Sequence, residues 1–67
     1  KEHDLAIENF RKALKINPGS AIDYANMASN YRDMGEKEKA VYYYRVALEL
    51  DPSIEFARTN LNKLLPA

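Results

Sequence analysis

Moved 34 residues along itself, the chain lays residues 1–18 over residues 35–52, and the two stretches agree too well for chance. Glu2/Glu36, Ala6/Ala40, Arg11/Arg45, Ala13/Ala47, Leu14/Leu48 and Pro18/Pro52 are identical. Six identities in eighteen pairs compare with roughly one expected from average residue usage. Ile7/Val41, Phe10/Tyr44 and Ile16/Leu50 add conservative apolar pairs. A period of this length means that one supersecondary unit is reused and that each copy buries its apolar face against the next.

The unit is two helices. In the stretch 24–52, Tyr24, Met27, Ala28 and Tyr31 recur at spacings of three and four, the period of one helix face. Gly35 then ends that helix, having no Cβ to clash in the left-handed conformation. Ala40, Val41, Tyr44, Ala47 and Leu48 form a second stripe, and Pro52 stops it near Leu50. The small Ala28, Ala40 and Ala47 let two helix axes approach to about 8–10 Å. The pattern Tyr24-x2-Met27-Ala28-x2-Tyr31, followed by Ala40, Tyr44, Ala47 and Pro52, resembles the tetratricopeptide repeat, a helix–turn–helix of 34 residues. Tyr24 stands where that family prefers Trp, Met27 for Leu, Ala28 for Gly and Tyr44 for Phe, all within a size class.

The resemblance implies an all-α fold of antiparallel helix–turn–helix repeats, an α-solenoid of about four helices in a single domain over 1–67. A polar lead-in over 1–4 stands where the inter-helix turn belongs, with Lys1 in the place of Gly35. Residues 4–16 are read as the second helix of a truncated repeat, carrying Ala6, Ile7, Phe10, Ala13 and Leu14 on one face. Glu8 and Lys12 make an i,i+4 pair on its wet side. Asn17-Pro18-Gly19-Ser20 breaks it, and Ser20 is placed to cap the next helix, with Asp23 three residues on. Residues 20–52 are the full repeat. Residues 54–65 are read as a capping helix: Arg58 replaces the family's aromatic and Asn62 its small residue, while Leu61 and Leu65 stay apolar. Pro66 supports a stop there.

Composition narrows the function. Ten basic and ten acidic residues cancel, which argues against nucleic acid as a partner, since that needs positive charge gathered on one face. With no cysteine, neither disulfides nor a thiolate metal site is available. No apolar run is long enough for membrane insertion and no signal peptide is visible. A cytoplasmic location is the expectation, for a chain that opens in mid-repeat and is read as a fragment of a longer one.

Catalysis would need a nucleophile–base pair or two convergent carboxylates. The one histidine, His3, lies in the lead-in between Glu2 and Asp4, and sequence neighbours on a helix do not face one another. The two glycines are isolated turn residues and cradle no phosphate. No enzyme activity, metal or cofactor is expected.

Binding is the expectation instead. With Tyr24, Met27, Ala28 and Tyr31 turned inward, the opposite side of that helix shows Ile22, Ala25, Asn26, Ser29, Arg32 and Asp33. The last helix offers Phe56, Thr59, Asn60 and Lys63. The resemblance implies that this is the concave face where a protein or peptide partner lies. Asn26 and Asn60 sit one period apart, and an Asn amide pairs with a peptide backbone through both donor and acceptor. Some family members grip a terminal carboxylate with Lys, Asn and Arg on successive first helices. Asn26 matches the middle position, but Phe56 and Asn60 occupy the places of the Lys and Arg, so this chain does not resemble that clamp.

A structural alternative is self-association. Leu5, Ile7 and Phe10 on an uncovered first helix would pair two copies into a homodimer or stack them end to end. In Tyr42-Tyr43-Tyr44 the three rings point in three directions. Tyr44 repeats Phe10 and belongs to the core. Tyr42, with Val46 one turn on, forms a small outer apolar patch open to the same use.

Overall fold

A computed structural model describes residues 2–66. They form four helices, α1 (Glu2–Ile16), α2 (Ala21–Asp33), α3 (Lys37–Leu50) and α4 (Glu55–Leu64). The joining turns are too short for anything but antiparallel neighbours. Each helix packs on the next, most extensively α2 on α3, giving a slab of 35 × 27 × 15 Å. This is the helical repeat architecture that the 34-residue period requires.

The turns are built as their residues dictate. Ser20 caps α2 by accepting the Asp23 N–H at 3.4 Å. At the other end Gly35 takes φ 81°. Its N–H donates to Arg32 O at 3.0 Å, and the Glu36 N–H reaches back to Tyr31 O at 2.9 Å. These two bonds together make a Schellman motif, which satisfies carbonyls the helix end would otherwise strand. Before α4, Asp51 Oδ1 accepts from the Ser53 N–H at 3.0 Å and the Ser53 hydroxyl at 2.6 Å. Those bonds hold the Asp51 carboxyl below its ordinary range, the side-chain bond contributing most.

The core is small-residue packing around two large side chains. Ala25, Ala28, Ala40, Ala47 and Ala57 are fully buried, and Met27 and Tyr44 are the largest side chains sealed from water. Phe10, Tyr24, Leu48, Ile54, Leu61 and Leu64 pack against them. Alanine at the contact lets helices close on each other, and Tyr44 fills the space that remains.

Several expectations need correction. The lead-in is not a turn: α1 already begins at Glu2, where Glu2 and Asp4 complement the positive helix end. Lys1 lies outside the described residues. His3, placed in that lead-in, instead reaches across to α2, its Nδ1 meeting Asn30 Oδ1 at 2.8 Å. The Asn30 amide nitrogen donates to Asn26 O at 3.1 Å, which fixes the amide's orientation and makes His3 the donor. Ala25 was assigned to the open face but is buried. The helix wheel assumed a single buried side, whereas α2 is packed by α1 and α3 together.

Helix α4 packs mainly on α3 among the described residues, and its buried face differs accordingly. Ala57, Leu61 and Leu64 turn inward, while Arg58 and Asn62 stay exposed. The Arg58 guanidinium donates to the Pro52 carbonyl, tying the helix to its own entry turn.

Candidate functional site

The residues expected on the concave face fall into three groups. Ile22, Phe56, Thr59 and Lys63 are exposed. Ile22 at 48% and Phe56 at 38% are large apolar side chains offered to solvent one period apart. Asn26 and Asn60 are half-buried at equivalent positions of α2 and α4.

The second group is partly occupied. Arg32 donates through both Nε and Nη2 to Asp33 Oδ1, at 3.1 and 3.0 Å, and this exposed pair contributes little to stability. The third is Ser29, which was expected to face a ligand. Its hydroxyl donates to Ala25 O at 3.2 Å and lies 2.6 Å from Tyr44 Oη. A hydroxyl has one proton, so Tyr44 must be the donor to Ser29. The polar tip of the most buried aromatic is thereby satisfied, and Ser29 belongs to the α2–α3 packing.

The residues expected for self-association also divide. Leu5 at 65% and Tyr42 at 61% are exposed, but Ile7 at 6% is buried. Phe10 packs against the core, and Val46 is half-buried. Covering by α2 removes Ile7 and most of Phe10 from the surface, so the apolar patch on α1 is smaller than the periodicity suggested.

What the sequence reading missed is the side formed by α1 and α3. Tyr43 lies between Tyr24 and Tyr31 of α2, its ring stacked on both at centroid distances of 6.2 and 5.5 Å and interplanar angles of 14° and 10°. Tyr42 meets Tyr43 edge-on at 5.0 Å. These separations suit aromatic pairs. Arg11 Nη2 donates to Tyr31 Oη at 3.3 Å, and Lys39 Nζ stands 5.4 Å from the centre of the Tyr31 ring. Burial, followed by the neighbouring Tyr31, pushes the Tyr43 phenol above its usual value, with Arg11 opposing. The internal repeat gave no warning, since Tyr43 replaces Asn9 of the preceding copy.

Two clefts open along this side. One, of about 700 Å³, carries Arg11, Lys12, Lys15 and Lys39 beside the carboxylates Asp4, Glu8 and Glu36. The other, of about 470 Å³, is lined by Arg11, Lys15, Tyr24, Met27, Tyr42 and Val46, with Leu14 and Tyr43. Neither includes a residue of the expected concave face. Among the described residues no cluster of His, Cys, Asp and Glu has the makings of a metal site, and no helix is long and apolar enough to cross a membrane.

Comparison with known proteins agrees with this geometry. The tetratricopeptide repeat family model matches residues 21–54, and a second tetratricopeptide repeat model matches residues 1–20. The chain is similar to a small glutamine-rich tetratricopeptide repeat-containing protein 2 of Saccharomyces cerevisiae, 38% identical over 79% of this chain and 15% of that protein. It is similar also to a peroxisomal targeting signal receptor of Candida glabrata, 35% identical over 90% of this chain and 10% of the receptor. A third relative is a probable UDP-N-acetylglucosamine–peptide N-acetylglucosaminyltransferase SEC of Arabidopsis thaliana, 38% identical over 72% of this chain and 5% of the enzyme. The chain therefore spans at most about a seventh of these relatives' lengths. Matched repeats, the 34-residue period and the helix-on-helix packing lead to one conclusion: this chain belongs to the tetratricopeptide repeat family.

Proposed function

We propose that the chain is a non-catalytic protein-interaction module that holds a partner peptide along the face shared by α2 and α4. Tetratricopeptide repeats generally mediate protein–protein interaction. The observation that carries the finer reading is recurrence at equivalent positions. Ile22 and Phe56 are exposed apolar residues 34 positions apart, and Asn26 and Asn60 repeat beside them. A ligand crossing both helices would meet an apolar contact and an amide at each step, side-chain anchors paired with backbone hydrogen bonds. Thr59 and Lys63 extend the α4 side, and Arg32 with Asp33 stands at the end of α2. Ser29 supports this face from beneath.

The test is selection from a random-peptide display library on the wild-type chain, with binders re-measured on Ile22→Glu and Asn26→Ala. Both changes lie on the helix surface, and circular dichroism checks that they stay folded. The reading expects selected peptides to lose at least about tenfold in affinity on Ile22→Glu, where a charge meets an apolar contact. Peptides that bind both variants as tightly as wild type would remove the α2–α4 face from consideration. Self-association through Leu5 and Tyr42 is the second reading, favoured by their exposure. It predicts a dimer in sedimentation equilibrium that Leu5→Glu dissolves.

A further inference from the structure

We propose a second docking surface that shares no residue with the first: the α1–α3 cleft receives an acidic peptide segment carrying an aromatic or branched aliphatic side chain. At about 470 Å³, this cleft falls within the roughly 300–1,000 Å³ of ligand pockets. Its floor is Tyr24 and Met27 of α2, and one wall is Tyr42, Tyr43 and Val46 of α3. The other wall is α1, which contributes Arg11 and Lys15. Among the described residues these are the only charged ones that line it, and neither is a carboxylate.

Charge decides the occupant. The adjoining larger cleft shares Arg11 and Lys15 but sets three carboxylates, Asp4, Glu8 and Glu36, against its four cations. An anion is therefore favoured more strongly in the smaller cleft, where Arg11 and Lys15 face no lining carboxylate. The bond to Tyr31 Oη stations the Arg11 guanidinium at the junction of the two clefts. A guanidinium has five N–H donors and that bond uses one, so a carboxylate can be gripped there by charge-assisted hydrogen bonds. An adjacent apolar side chain would then cover the ring of Tyr42, 61% exposed in this structure, and reach toward the half-buried Tyr24. Nucleic acid suits the surface less well, because the whole chain carries no net positive charge to draw a polyphosphate.

The test is a 15N NMR titration of the chain, at low salt, with the blocked hexapeptide Asp-Glu-Phe-Leu-Asp-Glu. Saturable shifts are expected in the amides of residues 11–15 and 42–46. Arg11→Glu with Lys15→Glu should weaken binding by about tenfold or more, since both charges oppose the ligand. Lys15→Gln, a milder change at an exposed position, should weaken it by about threefold and serves if the double variant fails to fold. Absence of binding overturns the proposal, as do shifts confined to α2 and α4 residues such as Ile22, Asn26 and Phe56. Affinity unchanged by Lys15→Gln overturns it too. So does a thymidine hexanucleotide that produces the same shifts at equal or lower concentration.

Discussion

At the scale of single residues, the most consequential contact joins two hydroxyls. Tyr44 is fully buried and Ser29 half-buried, so the two ends of their bond differ in what deletion leaves behind. Ser29→Ala strands the Tyr44 hydroxyl away from water and should cost about 1–3 kcal/mol, whereas Tyr44→Phe leaves a serine that water reaches and should cost about 0.5–1.5 kcal/mol. Urea denaturation of the two variants checks that order, and equal losses would mean that Tyr44 Oη finds water after all. Asp51 offers a titration in place of a deletion. Its folded value lies below the ordinary one near 3.8, so the stability it contributes is present above that ordinary value and lost as pH falls through the folded one. Ser53→Ala removes the larger of the two bonds and should move the Asp51 carboxyl back up in an NMR titration, though not fully, because the backbone bond remains. The sequence revealed that Tyr44 is core, from its 34-residue pairing with Phe10. It did not reveal Ser29, whose partner lies on another helix and has no counterpart at the fixed period. Tyr43 was equally hidden, because its stacking on Tyr24 and Tyr31 depends on the rotation of α3 against α2.

Among the elements, the contrast between two glycines separates backbone need from mere turn composition. In the sequence both punctuate turns. In the structure only Gly35 has a positive φ, and a Cβ built there meets nothing within 4 Å. Gly35→Ala therefore tests conformation alone and should destabilise by about 1–2 kcal/mol, the left-handed penalty of an L-residue. Gly19 has an ordinary φ and its added Cβ would lie 4.0 Å from Asn17 Oδ1, an ordinary contact. Gly19→Ala should be neutral or stabilise by up to about 1 kcal/mol, through lower entropy of the unfolded chain. Thermal melts of both variants give the comparison, and a Gly19→Ala loss as large as that of Gly35→Ala would contradict it. Helix positions were legible because the 3.6-residue period survives in α1, α2 and α3. The inner face of α4 was not, since Ala57 and Leu64 align with Asp23 and Asn30 of the preceding copy. A helix packed on one neighbour buries a different side from a helix packed on two, and sequence similarity between copies cannot express that.

For the whole molecule, packing that runs chiefly from each helix to the next makes stability nearly one-dimensional. The α2–α3 pair shares the most extensive packing and holds most of the fully buried side chains, including Tyr44, Met27 and four of the alanines. By contrast α4 rests on Ala57, Leu61 and Leu64, with Ile54 at its entry. Two outcomes are open to a chain of this size. Small domains usually unfold as one cooperative unit, whereas repeat arrays release terminal elements first. The graded packing favours the second. Leu61→Ala, at a half-buried position, should cost about 1–2 kcal/mol, below the roughly 2–5 kcal/mol of fully buried leucines. Native-state hydrogen exchange locates that loss. Amides of α4 should exchange faster in the variant, while the slowest amides of α2 and α3 change little. Equal acceleration across all four helices would show one cooperative unit. In that case a ligand on either face would stabilise the whole slab, and the two proposed docking surfaces would be coupled through the core they share.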